Sequence, residues 1–280
     1  MPLSVVDLYR DILPKTNCKD CGFPTCMAFA SMVVSEKHPI ANCPHLSPEV
    51  VAACEKELAA QYAAGKWLKR DMKADALALA KEKSAGIRIE DLPERIGGRL
   101  VKKDGNPALL LPYFNDHILI DADTITKPDG SPMTRYEQVF IHIHLARGGS
   151  ATPSGKWRNL VEIPNTVSKV KSMAEHVEKP LIEKFQGNAE ALRQAALRIG
   201  GIDKHDEFPD SHVAMRFNPL PRVPVMLTFW DGSEADGFGA EVKLSFDDTI
   251  TQHLDIEAIM FLSERLRDML FAANEENQSA

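Results

Sequence analysis

The sequence predicts an α+β protein in which a small helical module, built around an inorganic centre, precedes a larger mixed domain. Three observations predict it. The five cysteines, Cys18, Cys21, Cys26, Cys43 and Cys54, all lie near the front of a 280-residue chain, and none follows. A stretch rich in Ala, Lys and Glu with helical spacing comes next. Beyond it, short strand and helix segments mix without the regular alternation that builds a doubly wound parallel sheet. At roughly 100–200 residues per domain the length calls for two units. We expect a cluster module over 1–46, a helical connector over 47–86 and an α+β domain over 87–280.

Composition sets the outer bounds. With 44% hydrophobic and 26% charged residues the chain can bury a sizeable core and is not disordered throughout. A formal net charge of −7 argues against the basic face that nucleic acid requires. No apolar run reaches the roughly 18 residues of a membrane-spanning helix, so no membrane insertion is expected. The first residues carry Asp7, Arg10 and Asp11 where a secretory signal needs an apolar stretch. The expected location is therefore the cytoplasm. There an odd number of cysteines reads as metal-ligating thiolates and not as a disulfide framework.

The spacing is Cys18-x2-Cys21-x4-Cys26, then sixteen residues, then Cys43-Pro44. Two residues between cysteines let a turn aim both sulfurs at one centre, and Gly22 permits a backbone conformation that a side chain opposes. Residues 27–36 read as a short helix whose first N–H groups would face electron-rich sulfurs, with Phe29, Met32 and Val33 as shielding. His38-Pro39 ends that helix, and Pro44 stops regular structure after the last cysteine. Four thiolates suffice for one [4Fe–4S] cube. A four-cysteine zinc site uses the same donors, but more often shows paired C-x2-C knuckles at both ends.

The segment from Asp7 to Leu46, DLYRDILPKTNCKDCGFPTCMAFASMVVSEKHPIANCPHL, resembles the iron–sulfur domain at the front of the corrinoid iron–sulfur protein large subunit and of the Rnf complex B subunit. The shared pattern is the cysteine spacing, Gly22 after the second cysteine, Phe29-Ala30 after the third and Pro44 after the fourth. The resemblance implies Cys18, Cys21, Cys26 and Cys43 as ligands of a [4Fe–4S] cluster that passes single electrons. Cys54 lies outside the pattern, in a helix that Ser47 can cap with Pro48 at its first position, and reads as a small apolar residue on a helix face.

From Ser47 to Ala85 helical spacing continues, with Gly65 and Gly86 as stops, and the lysines between Lys66 and Lys83 read as a solvated face. Strands are expected over 99–103, 108–111 and 117–120, separated by Asp104-Gly105-Asn106-Pro107 and by residues 113–116. Thr134 and Glu137 match a capping box ahead of an apolar run that Gly148-Gly149 closes. Residues 188–199 form a further helix, and 225–230 and 241–246 form strands joined by the loop DGSEADGFGA. The last helix, 256–272, is capped by Asp255 and repeats Ile259, Leu262, Leu266 and Leu270. The segments SGKW (Ser154 to Trp157), FNPLPRVPVMLTFWDG (Phe217 to Gly232) and LSFDDTITQHLDIEAI (Leu244 to Ile259) resemble the family named domain of unknown function 3786, which implies a domain over about Ile87 to Leu270 but no chemistry.

Other motifs fail on their own terms. Ser154-Gly155-Lys156 lacks the first glycine and the following Ser or Thr of a phosphate loop, and Gly237-Phe238-Gly239 lacks the third glycine of a dinucleotide fingerprint. On a helix His142 and His144 stand about 200° apart, so they read as core or surface histidines, with a two-histidine metal site as the other reading. Asp203-Lys204-His205 opens like a corrinoid-binding motif, yet Phe208 stands where glycine is needed. Asp231, Glu234, Asp236, Asp247 and Asp248 read as solvated turn acids, with a cation or partner site as the other reading, and Arg216 and Arg222 could pair with them or hold an anion. No catalytic residue is assigned. The expected function is one-electron transfer through a [4Fe–4S] cluster, with the second domain recognising a redox partner protein or a bound cofactor. The alternatives are an enzyme or activator whose second domain binds a corrinoid or other organic cofactor, and a zinc-anchored interaction protein.

Overall fold

The computed structural model describes residues 3–64, 72–232 and 237–278. The fold is α+β, and the chain divides into two compact units, Met1–Met72 and Lys73–Ala280. In the first unit Ser4 and Asp7 close a capping box that starts a short helical segment ending at Ile12. Helix Cys26–Glu36 starts at Thr25, whose hydroxyl accepts from the Ala28 amide, and stops at Lys37 in the left-handed region. It buries Cys26, Phe29, Ala30, Val33 and Val34, the i, i+3, i+4, i+7, i+8 set that makes one helix face. Ser47 caps helix Pro48–Ala63, which turns Cys54 and Leu58 into the same small core with Leu8, Leu13 and Ile40.

The second unit holds two antiparallel sheets. β1 (Arg99–Lys103), β2 (Asn106–Tyr113), β3 (Asp116–Ile120) and β4 (Ile125–Thr126) form a meander in chain order. Its first two turns are two-residue loops with both residues at positive φ or containing one, Asp104-Gly105 and Phe114-Asn115, so the pairs Lys103–Asn106 and Tyr113–Asp116 face each other across them. The second sheet runs β5 (Trp157–Asn159), β9 (Glu241–Asp247), β8 (Val223–Trp230), β7 (Val213–Leu220), β6 (Ile202–Asp203). Central β8 is buried from Val223 to Phe229, the signature of a strand covered on both faces. Helices Arg135–Arg147 and Ala189–Arg198 pack on the long helix Ile256–Gln278.

Capping is where sequence and fold agree most closely. Thr134 and Glu137 form the expected box, Gly148 ends that helix, and Asn188 and Asp255 start theirs. Glu137 is also buried, and its Oε1 accepts from Tyr113 at 2.8 Å and pairs with Arg265 at 2.7 Å. Helix Met72–Ser84 gives Ala80 to the core of this second unit, with Ala76 and Leu77 packed against it. Helical turns across Val167–Phe185, and strands β5 and β6, are additions to the sequence reading. Gly65, Glu234 and Asp236 lie outside the described residues.

Two readings need correction. The described acids do not cluster: Asp231 follows β8 and accepts from the Gly187 amide, whereas Asp247 is the last residue of β9 and Asp248 follows it, at the far end of that strand from Asp231. Asp247 is not a solvated turn residue but is 1% exposed, because it accepts from the amides of Ser154, Gly155 and Thr249. The SGKW amides thus hold the protein's own carboxylate. Among the described residues the Arg222 guanidinium donates to the carbonyls of Glu94, Arg95 and Gly149.

Candidate metal centre

The loop before helix Cys26–Glu36 carries two of the thiols, Cys18 and Cys21, and delivers a third, Cys26, at the first position of the helix; its backbone bends sharply to do so. Lys15, Asn17, Lys19 and Gly22 all adopt positive φ, and the Gly22 amide closes a turn on the Lys19 carbonyl at 2.8 Å. Only glycine adopts that conformation without cost, so the three other positions are strained ones held by their surroundings. Asn17 is one such hold: its Oδ1 accepts from the Cys26 amide at 2.8 Å, tying the loop to the first turn of the helix. Cys26 thereby sits at the positive end of that helix, where electron-rich sulfur is favoured.

Cys43 arrives from the other side, after the turn Ile40–Asn42. Cys26 and Cys43 are buried, Cys21 is half-buried and Cys18 is exposed; all are free thiols. Burial pushes the Cys43 thiol up, the His45 amide that hydrogen-bonds it pulls it down, and Cys21, Cys26 and Cys18 lie close enough to raise it further by their charges. Cys54 is raised by burial alone, with no thiol contributing. Phe23 and Phe29, tilted at 5.8 Å, and His38 edge-on to both, form an aromatic shelf in the same unit.

At the exposed corner two residues appear that the cysteine pattern alone did not single out. His45 Nε2 lies 3.3 Å from Cys18 Sγ and 3.0 Å from Asp20 Oδ2. The Asp20 carboxyl is held below its usual range by the hydrogen bond with His45 first and Cys18 second. The signal was present as a histidine two residues past the last cysteine and an acid inside the C-x2-C turn. It carries meaning only once the chain from Cys43 is folded back against Cys18.

The second unit shows no comparable gathering of thiols, having no cysteine. Its histidines are dispersed as the helix geometry requires. His142 Nδ1 meets Ser84 Oγ at 2.8 Å, and His144 is fully buried beside His253, ring centroids 5.6 Å apart. Asp203 pairs with Arg193 and accepts from the His205 amide, and Phe208 follows in the turn. A cleft of about 430 Å³ lies between Ile87, Ile89, Ile120 and Leu145, with Ser84 and His142 on its wall. Among the described residues no helix is long and apolar enough to cross a membrane.

Fold and site define a two-unit chain, a small thiol-rich helical module and a separate α+β unit. The chain belongs to the family described as Domain of unknown function (DUF3786), whose model matches residues 88–269. A second family model, described as "Putative Fe-S cluster", matches residues 13–45. Relatives of that front segment include the acetyl-CoA decarbonylase/synthase complex subunit gamma of Methanocaldococcus jannaschii, 49% identical over 45 residues, 16% of this chain and 9% of that protein. The corrinoid/iron-sulfur protein large subunit of Moorella thermoacetica is 47% identical over 47 residues, 17% of this chain and 10% of that one. The chain thus spans about a tenth of the length of the curated relatives it matches. No solved structure matches it.

Proposed function

We propose that this protein is an iron–sulfur redox protein, in which Cys18, Cys21, Cys26 and Cys43 hold a [4Fe–4S] cluster and single electrons pass to and from a partner protein. The observation that carries the reading is the cysteine run Cys18, Cys21, Cys26 and Cys43 inside the segment that the iron–sulfur family model matches, with Cys26 and Cys43 buried in one small core, Cys21 packed against it, and Cys54 outside the matched residues 13–45. The donor set suits the cluster, which supplies one-electron chemistry when bound. Asn17 and the start of helix Cys26–Glu36 orient one buried thiol, and Ile40 and the aromatic shelf exclude water from the inner side. Cys18 stays open to solvent, which gives a partner a short path to the site. The matched front segments of the gamma subunits and of the corrinoid/iron-sulfur protein support the same cofactor class, and their membership of a multi-subunit complex supports a protein partner here.

The test is anaerobic purification followed by iron and sulfide analysis and a reductive titration read by electron paramagnetic resonance. About four irons per chain and a reversible one-electron signal are expected. Zinc in their place, or a centre that takes up no electron, overturns the proposal. A second reading is an organic cofactor in the α+β unit, a corrinoid among them, which the cluster would reduce. The isoleucine-lined cleft with His142 on its wall favours it, and a visible absorption band beyond that of the cluster would select it.

A further inference from the structure

We infer that His45 is a positioning residue for the cluster: its Nε2–H donates to the Cys18 sulfur, holds the exposed corner in place and raises the reduction potential. The inference rests on the ligand assignment proposed above. Nε2 faces two acceptors, at 3.3 Å the sulfur of Cys18 and at 3.0 Å the carboxylate of Asp20. A thiolate bound to iron and an ionised carboxylate both lack a proton, so this ring nitrogen must carry one. A histidine between two negative groups also relieves their repulsion. Without it the carboxylate of Asp20, 3.0 Å from the same ring nitrogen that lies 3.3 Å from the Cys18 sulfur, would stand against an anionic cluster with no donor between them. The other ligands do not need the same help. Cys43 receives the His45 backbone amide and Cys26 lies at a helix start, both fixed by the main chain. Cys18 is the exposed one, and the His45 side chain is the donor the structure gives it.

Hydrogen bonds to cluster sulfurs withdraw electron density and stabilise the reduced state. Removing this one makes reduction harder. The experiment uses the full chain, reconstituted anaerobically, as wild type, His45→Phe and His45→Gln, with iron content and midpoint potential measured for each. We expect His45→Phe to keep its iron but shift to more negative potential, by about a tenfold change in the oxidised-to-reduced ratio at fixed potential, or 59 mV for one electron. His45→Gln, which restores an N–H donor, should recover most of the shift. Equal potentials in all three, each with full iron, overturn the role of His45 and leave the electron-transfer reading standing. A wild type without a cluster overturns both. If His45→Phe does not assemble, hyperfine spectroscopy of the reduced wild type grown with histidine labelled with 15N in the imidazole ring only decides: a weak ring-nitrogen coupling supports the bond, and its absence overturns it.

Discussion

The two units are stabilised by different means. The second wraps two antiparallel sheets and several helices around an extended core that includes Phe140, Phe185, Phe217, Phe229 and Phe246, all fully buried. The first has one small core, and three of its buried residues are cysteines. A segment that short buries too little apolar surface to stand easily alone, and small domains commonly add a metal to compensate. Its loop also holds Lys15, Asn17 and Lys19 at positive φ, a cost that bound metal would offset. The difference teaches that metal and fold are one question in the front unit and separate questions in the rear one.

The largest expected effect breaks the front unit alone. Cys26→Ala or Cys43→Ala removes a buried donor and should cost nearly all of the iron, after which residues 3–64 become open to protease while the rear unit resists. Metal analysis with limited proteolysis checks it. Equal protease resistance of both units after iron loss would show that the front core suffices without its centre.

Second, a fragment beginning at Met72 should fold without iron, with the circular dichroism of a mixed α and β protein and one cooperative melt. Beginning it after Gly86 instead discards Ala80, Ala76, Leu77 and the Ser84–His142 hydrogen bond, and should lower the melting temperature. Fragments that melt alike would show that helix Met72–Ser84 contributes nothing to the rear core.

How much of this could be read beforehand follows the same division. Caps are local, so Ser47, Thr134 with Glu137, Gly148 and Asp255 were legible one by one. Strands β1, β8 and β9 were legible from apolar runs between turn residues. Short β5 and β6 were not, since a two- or three-residue edge strand is defined by its partner and not by its own sequence. The acids misled for a related reason: Asp231 and Asp247 are near in sequence, yet a seven-residue extended strand holds them apart. In the metal centre the cysteines were legible through spacing. His45 and Asp20 were not, because their meeting depends on a chain reversal of 25 residues.

Acid should separate the units at the next scale. Burial pushes His144 down to about 3, and burial with Lys81 nearby pushes His142 down to about 4. Unfolded, each would take its proton near 6.5. Between those values the unfolded chain binds more protons than the folded one, so stability falls as pH falls from about 6.5. At pH 5 His144 alone accounts for about 2 kcal/mol, and the half-exposed His142 for less. Glu137 and Asp247 have lowered values, so the stability they add is lost only at more acid pH. Denaturant unfolding of the rear fragment at pH 7 and pH 5 measures the loss, and His144→Leu should remove about 2 kcal/mol of the difference. An unchanged difference would assign the acid sensitivity elsewhere.

The smallest effect is the sharpest for the ligand set. Cys54 is as buried as Cys43, 4% against 5% exposed, so burial does not distinguish a ligand from a filler. Position does: Cys54 shares a helix face with Leu58 and Gln61, and its thiol is raised by burial with no other thiol contributing. Cys54→Ala then removes one sulfur from an apolar contact, a loss of about 1 kcal/mol by analogy with a buried methylene, partly offset because alanine is the better helix former. The holo protein should melt slightly lower while iron per chain stays at the wild-type value. If instead Cys54→Ala loses iron as Cys26→Ala does, Cys54 is a ligand, and the grouping of Cys18, Cys21, Cys26 and Cys43 is the wrong four.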